Sequence, residues 1–148
     1  MVAKDLARIY RTNSVLTATP GQLVLMLYDG ALGALACARE AFALPPRDLR
    51  RYETINRQLL KAQRIITELK NTLNFEVGGD FAPMLYRLYN YYNRRLLEAN
   101  LKKDMAPIQE VERLLGDLRD AWAEMLRRPE GGRLNAGGAA AMEVAQAR

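Results

Sequence analysis

Few side chains in this 148-residue sequence could catalyse a reaction. It contains no histidine and a single cysteine, Cys37, so it lacks the usual acid–base group near neutral pH and any Cys–His nucleophile pair. Acidic residues towards the C-terminal end alternate with arginines without any Glu-x-x-His pair, which excludes a di-iron site. The stretch GALGAL, residues 30–35, follows no strand pattern and is not a phosphate loop. We therefore expect a protein that is not an enzyme and that holds no metal and no cofactor.

Basic residues offer one kind of binding chemistry. The chain has 22 Lys and Arg against 17 Asp and Glu, a net charge of +5, and its pI is about 9.6. A basic stripe recurs at helical spacing: Arg47, Arg50, Arg57, Lys61 and Arg64. Such a stripe can contact phosphate, but it is more often a solvated helix face. No helix-turn-helix, aromatic RNA-binding motif or zinc spacing accompanies it, so we expect no nucleic-acid partner.

Tyrosines and amides offer a second kind of binding chemistry, because they combine apolar area with hydrogen-bonding groups. Two sets lie beside apolar stripes at helical spacing: Tyr86, Tyr89, Asn93 and Leu97 in one segment, and Asn56, Leu60 and Gln63 in another. The amides could bind the backbone of an extended peptide while neighbouring pockets hold its side chains. The alternative is that both sets are solvated residues at the boundary of a core.

Helices must position these residues, because apolar side chains recur every three or four positions. Alternation of apolar and polar residues is nowhere long enough to predict a strand. Thr19 is a candidate N-cap with Pro20 at the first helical position, and Pro45-Pro46 stops that helix. Asp80 and Asp104 are candidate caps of later helices. The predicted helices cover residues 20–44, 48–75, 81–101 and 105–128. Their short connections favour an all-α fold, an antiparallel up-and-down four-helix bundle over residues 17–128.

The later helices have apolar stripes that should form the core. The stripes are Tyr52, Ile55, Leu59, Ala62, Ile66, Leu69 and Leu73; Phe81, Leu85, Leu88, Tyr92, Leu96 and Ala99; and Ile108, Val111, Leu115, Leu118, Trp122 and Met125. This assignment leaves Tyr89 on a face beside the core. Outside the bundle we expect a short N-terminal helical arm, residues 1–16, and a flexible Gly- and Ala-rich tail, residues 129–148.

The first helix is apolar on nearly every side. Its clearly polar residues between positions 22 and 44 are Gln22, Asp29, Arg39 and Glu40. We expect it to be too short and too interrupted to cross a membrane, and we expect Cys37 to be a small buried residue. Either its neighbours and the N-terminal arm cover it completely, or its surplus apolar surface is a docking groove for a partner or a second copy.

Three phrases of the sequence together resemble the flagellin-specific export chaperones, the FliS family. The first is Tyr10 followed by TATPGQLVLMLYDGAL, in which Thr19 stands where the family pattern has serine. The second reads NRQLLKAQRIITELKNTLNFEVGGDFAPMLYRLYNYYNRRLLEAN, and the third reads KDMAPIQEVERLLGDLRDAWAEM. The phrases occur in family order and cover about residues 8–126.

The resemblance implies a cytoplasmic four-helix bundle that binds flagellin one to one through flagellin's C-terminal segment. That segment is disordered in the free monomer, and a chaperone that holds it prevents early polymerisation. The resemblance also implies presentation to the cytoplasmic domain of the flagellar export gate, after which flagellin leaves without its chaperone. We expect no membrane insertion.

The predicted flagellin-binding residues are apolar, tyrosine and amide side chains: Tyr10, Leu23, Leu27, Asn56, Leu60, Gln63, Tyr86, Tyr89, Asn93 and Leu97. Our hypothesis for the N-terminal arm is a lid. Leu6, Ile9 and Tyr10 would occupy part of the groove when no client is present and would leave when it arrives.

Two alternatives stay open at this point. One is a basic helical-bundle adaptor that binds another protein or self-associates and has no flagellin role. The other is a structural bundle whose spare apolar surface forms a homodimer, although a chaperone can also dimerise when empty.

Overall fold

The computed structural model describes residues 17–76 and 81–128 and contains four helices in those ranges. They are α1 (Pro20–Ala41), α2 (Leu49–Asn71), α3 (Phe81–Lys102) and α4 (Ala106–Arg127). The described residues contain no strand, so the predicted all-α fold is confirmed. α1 and α2 end three and four residues earlier than predicted, because backbone bonds at both ends tighten to i→i−3 spacing, as in Leu44 N–H to the Ala41 carbonyl.

The predicted helix starts depend on side-chain caps that the structure contains. The Thr19 hydroxyl accepts a hydrogen bond from the Gln22 N–H at 3.2 Å, and the Gln22 side chain accepts one from the Thr19 N–H at 3.0 Å. This reciprocal pair is a capping box. Asp48 is the N-cap of α2 and accepts from the Arg50 N–H. Asp104 accepts from the Ala106 N–H, but the N-cap of α4 is Met105, whose side chain makes no capping bond, so the predicted cap is wrong by one residue. Asp80 lies outside the described residues.

The four helices form a closed ring in chain order: α1 packs on α2, α2 on α3, α3 on α4, and α4 returns to α1. Partner numbers along each contact run in opposite directions, which makes the neighbours antiparallel. Along α2 and α3 the bonded pairs are Asn56 with Asn100, Gln63 with Asn93, and Lys70 with Asn90; along α1 and α4 they are Gly21 with Trp122, Asp29 with Arg119, and Arg39 with Glu112. The predicted up-and-down bundle is confirmed.

The core fills the centre of this ring with the predicted stripes. In α2 the residues Ile55, Leu59, Ala62, Ile66 and Leu69 are buried, and in α4 Ile108, Val111, Leu115 and Trp122 are buried. Leu73, Leu118 and Met125 pack partly buried against them. Tyr52 is the exception, because it lies exposed near the start of α2.

Tyr89 is buried, so its predicted place beside the core is wrong. Only 2% of it is exposed, and the stripe that α3 buries is Ala82, Leu85, Tyr89, Tyr92, Leu96 and Ala99. Its hydroxyl lies 2.7 Å from the hydroxyl of Tyr28 on α1, so a polar tip that would otherwise need water is satisfied inside the protein. α1 and α3 are opposite members of the ring, and this bond joins them across the centre.

α1 is one wall of the bundle, although its length and composition alone would let it cross a membrane, the one helix of the described residues for which that holds. The expectation that this stretch is too short and too interrupted is wrong, since Pro20 and Gly21 are simply its first two residues. Its buried stripe includes Val24, Tyr28 and Leu35. Cys37 is exposed, which corrects the expectation that it is buried.

We predict that the two tyrosine hydroxyls stabilise the bundle as a pair. Tyr28→Phe or Tyr89→Phe alone should lower the free energy of unfolding by about 1–2 kcal/mol, because each leaves one buried hydroxyl without its partner. The double variant should cost less than the sum of the two, which chemical denaturation will measure. Tyr86→Phe, at an exposed tyrosine, is the matched control. Strictly additive losses would show that the hydroxyls do not act together.

The buried phenols also predict a loss of stability at alkaline pH. Burial raises the pKa of Tyr28 and Tyr89, and it raises the pKa of Tyr92 to about 12. Since phenols of the unfolded chain ionise near pH 10, the folded chain keeps more protons above that pH. The contribution of these groups is therefore complete below about pH 10 and is lost as pH rises through the higher folded values.

Denaturant unfolding between about pH 8 and about pH 11.5 should show this loss, with up to about 1.4 kcal/mol per pH unit for each phenol whose ionisation is suppressed. Tyr89→Phe should have a shallower slope above pH 10 than the unmodified chain. Equal slopes in the two proteins would contradict the prediction.

Candidate functional site

Large apolar side chains remain uncovered on the outside of the ring, mainly along α2 and α3. Within the described residues the exposed ones are Leu23, Met26, Leu49, Tyr52, Leu60, Phe75, Met84, Tyr86, Leu97 and Leu101. Single exposed apolar residues are normal on a protein surface, but adjacent ones mark candidate interaction sites. Six of them lie on two surfaces: Leu60, Phe75, Tyr86 and Leu97 between α2 and α3, and Leu23 and Met26 on α1.

The first surface is the α2–α3 groove, which we define as Asn56, Leu60, Gln63 and Thr67 of α2 with Tyr86, Asn90, Asn93 and Leu97 of α3. Leu60 is 43% exposed, Leu97 49% and Tyr86 40%. A cleft of about 600 Å³ opens here, lined by Leu60, Gln63, Arg64, Ile65, Thr67, Glu68 and Asn93. The groove therefore combines open leucines with amides at its floor.

Neutral hydrogen bonds hold the two helices together along the groove. The Gln63 side chain donates to the Asn93 carbonyl at 3.2 Å, and the Asn93 side chain donates to the Thr67 hydroxyl at 3.2 Å. Towards one end, Asn100 donates to Asn56 at 2.8 Å. Amide and hydroxyl groups of this kind are the groups that bind a peptide backbone, so the same chemistry can serve a client.

One acceptor on the floor of the groove has no partner. The side-chain oxygen of Gln63 is buried and accepts no hydrogen bond from any described residue. Reversing the amide would place two oxygens against each other, because its nitrogen donates to the Asn93 carbonyl. The oxygen of Asn93 is also buried without a partner. Both oxygens lie beneath the surface of the groove, where the amides join α2 to α3.

An aromatic pair lies at the other end of the groove. The rings of Phe75 and Tyr86 meet edge to face with centroids 5.5 Å apart, and both side chains are exposed. The Lys70 ammonium lies 5.4 Å from the Tyr86 ring and also donates to Asn90. An exposed aromatic pair at one end of a groove with exposed leucines is typical of interface anchors.

The second surface is the α1 outer stripe, which we define as Leu23, Met26, Gly33 and Cys37. All four are exposed, and a Cβ added at Gly33 would meet no atom within 4 Å. The stripe lies opposite the buried stripe of the same helix. It is a second exposed apolar strip, and the absence of a side chain at Gly33 lets a partner approach the helix backbone near its middle.

Ion pairs join α4 to both of its neighbours in the ring, α1 and α3. Arg39 pairs with Glu112 at 2.9 Å and Arg119 with Asp29 at 2.8 Å, which join α1 to α4. Between α3 and α4, Arg95 pairs with Glu110 at 2.7 Å. The Arg95 guanidinium and then the Tyr91 hydroxyl hold the pKa of Glu110 below its usual range. No ion pair joins α2 to α3 within the described residues, so the groove differs in chemistry from these sides.

The structure brings together six of the ten predicted binding residues: Asn56, Leu60, Gln63, Tyr86, Asn93 and Leu97. Leu23 lies apart from them on the α1 outer stripe, and Leu27 packs partly buried against the core. Tyr89 is inside the bundle and does not reach the groove. Tyr10 and the lid residues Leu6 and Ile9 lie outside the described residues, so the lid stays a prediction.

Met26, Gly33 and Cys37 of the α1 outer stripe were not among the predicted site residues, and neither were the exposed arginines Arg64 and Arg94. Met26 could have been identified from spacing, since positions 26, 33 and 37 lie opposite the buried positions 24, 28, 31 and 35. Arg64 was placed only in a solvated stripe, yet it lines the cleft beside Leu60. Arg94 of α3 gave no signal, because its neighbourhood depends on how α3 turns against α2.

Catalysis receives no support from the described residues. Residues 17–76 and 81–128 contain no group of three His, Cys, Asp or Glu side chains that could hold a metal ion. The groove presents amides, leucines and a tyrosine, which bind polypeptides but do not activate a nucleophile. Its geometry therefore points to recognition.

Comparison with known proteins agrees with this geometry. The family model described as flagellar protein FliS matches residues 2–129. The chain is 40% identical over 131 residues to the flagellar secretion chaperone FliS of Bacillus subtilis (strain 168), an alignment covering 88% of this chain and 93% of that protein. It is 41% identical over 123 residues to the one from Salmonella typhimurium (strain LT2), covering 82% and 87%. The one from Escherichia coli (strain K12) is 38% identical over 124 residues, covering 83% and 88%.

The match spans the whole bundle, including both surfaces described above. Identity of about two residues in five over most of both chains is far more than a shared four-helix architecture requires. The chain belongs to the FliS family of flagellar secretion chaperones, and it is a chaperone rather than an enzyme.

Proposed function

We propose that this chaperone binds the C-terminal segment of flagellin one to one in the cytoplasm. Bound in this way, the segment cannot polymerise before export. The chaperone then presents flagellin to the cytoplasmic domain of the flagellar export gate, where flagellin leaves without it. The observation that supports this function is the α2–α3 groove, whose exposed leucines and tyrosine suit a polypeptide.

The groove matches the needs of a disordered client. Leu60 and Leu97 supply apolar area for one face of an amphipathic segment, and Tyr86 supplies an anchor at one end. A segment that folds onto such a surface loses conformational entropy, so its affinity depends on how much apolar area it buries.

The α1 outer stripe supplies a second place for the same client. A disordered segment can wrap a large surface, and Leu23 and Met26 provide apolar contacts outside the groove. Gly33 leaves open space where a client helix could approach closely. Two separated strips suit a long segment better than a single short peptide.

Self-association is the second candidate function, and the same uncovered surfaces favour it. A homodimer of the empty protein would bury the leucines that the client otherwise covers. Light scattering across a range of concentrations distinguishes the two functions. If a flagellin peptide competes with self-association, adding it lowers the molar mass of the assembly from that of a dimer to that of one chaperone with one peptide.

We predict one-to-one binding, with a negative heat-capacity change, of a peptide of the last ~40 residues of the organism's own flagellin. Burial of apolar surface produces that sign, and titration calorimetry at several temperatures measures it. Binding should persist at moderately raised salt, because the apolar contacts are not screened. Absence of binding, with both partners intact, would refute flagellin as the client.

We also predict that polar substitutions in the groove weaken this binding. Leu60→Gln and Leu97→Gln should each raise the dissociation constant by about tenfold, since each removes one leucine side chain from the buried interface. The control is Leu49→Gln at the first residue of α2, where the side chain is 78% exposed and lies outside the groove. Unchanged affinity in both groove variants, with the helical content preserved, would show that the client does not bind in this groove.

A further inference from the structure

We infer that the α2–α3 groove selects a segment that carries acidic side chains, and that Arg64 and Arg94 set this preference. The inference rests on the proposed function in taking the groove as the client site. It goes further by naming the charge of the client segment and the residues that read it.

Charge is divided unequally between the two halves of the bundle. α2 contains six Lys and Arg against two Glu, and α3 contains four against one. α4 contains five Asp and Glu against three Arg, and α1 contains two against one. The groove therefore runs through the basic half of the ring, while the opposite half is acidic.

Antiparallel register places two arginines at the same level of the basic half. The bonded pairs Gln63 with Asn93 and Asn56 with Asn100 set the register of α2 against α3. In that register Leu60 lies level with Leu97, and Arg64 lies level with Arg94. A client segment over the leucines would thus pass Arg64, which lines the cleft, with Arg94 at the same level on the outer face of α3.

Both arginines are available to a client. Arg64 and Arg94 are exposed, and neither forms an ion pair within residues 17–76 and 81–128. Arg94 lies only near the Tyr91 ring, 5.8 Å from its centroid. On the acidic half, by contrast, Arg39 and Arg119 are already paired with carboxylates. Unpaired guanidinium groups beside an apolar strip favour carboxylates from a partner.

The surface suits an acidic polypeptide better than a phosphate backbone. Glu53 interrupts the outward basic face of α2 and Glu68 lines the cleft beside Arg64, whereas a nucleic acid presents evenly spaced negative charge along its whole length. The exposed leucines match apolar side chains, which a peptide carries and a phosphate backbone does not.

The test compares two synthetic amphipathic peptides of about 20 residues that share the same leucine spacing, one with Glu and one with Lys at the remaining positions. Fluorescence anisotropy measures both against the full chain at low and moderate salt. We expect the Glu peptide to bind about tenfold tighter than the Lys peptide at low salt, and the ratio to shrink as salt rises.

Two double variants test whether the groove causes the preference. Arg64→Glu with Arg94→Glu should abolish or reverse the ratio of the affinities for the Glu and Lys peptides. Arg113→Glu with Arg127→Glu changes the net charge by the same amount on α4 and should leave the ratio nearly intact. Equal binding of the two peptides, or a ratio that both double variants lower alike, would overturn the inference. Circular dichroism confirms that each variant keeps its helical content.

A flagellin arm separates this inference from the proposed function. The C-terminal flagellin peptide is measured beside a copy in which each Asp and Glu is replaced by Asn or Gln. If the native peptide binds and its neutral copy binds equally well, the proposed function stands and the inference fails. If neither flagellin peptide binds while the Glu peptide still binds more tightly than the Lys peptide, the inferred charge preference stands and flagellin is not the client.

Discussion

The hydrogen bond between Tyr28 and Tyr89 is the contact on which the rest of the bundle depends. Neighbouring helices in a ring can slide or rotate against each other as long as apolar groups meet apolar groups. A bond of 2.7 Å between hydroxyls on the opposite helices α1 and α3 favours the rotation of each helix that brings the two hydroxyls together. Fixing α3 in this way turns Leu97, Asn93 and Tyr86 towards α2, and it therefore determines which side chains form the groove.

The small residues of α1 explain why apolar surface is left over. Ala31, Ala34 and Ala38 are buried, and Ile65 of α2 comes within 3.4 Å of the position that a Cβ would take at Gly30. Alanines fill little volume, so α2 packs close to α1 and the core needs fewer large side chains. Leu23, Met26 and Leu60 are then not needed inside and remain at the surface. A smaller core and a larger exposed apolar area have the same cause.

Much of the fold was predictable from the sequence, because periodicity and caps are local. Thr19, Asp48 and Asp104 mark helix starts through bonds to residues two or three positions away. Tyr89 was not predictable, since positions 88 and 89 both fit a stripe of three- and four-residue steps and only the partner hydroxyl on Tyr28 decides between them. The exposure of Cys37 and the arginines beside the groove likewise depend on helix rotation, which is a property of the whole ring. Six predicted site residues lie together in the groove because amides and tyrosines beside apolar stripes are a local pattern too.

The chemistry of the groove suits a site that must bind and then release. Ion pairs join α4 to both of its neighbours, and a client that displaced them would have to compensate two desolvated charges at each place. The groove between α2 and α3 contains neutral amide and hydroxyl bonds instead, which exchange with a peptide's own groups at little net cost. Charge is kept at its edges, where solvent screens it and where it can direct a partner without holding it tightly. A binding surface built in this way gains its affinity from apolar area and its choice of partner from the arginines. Selecting the partner therefore does not make its release slower.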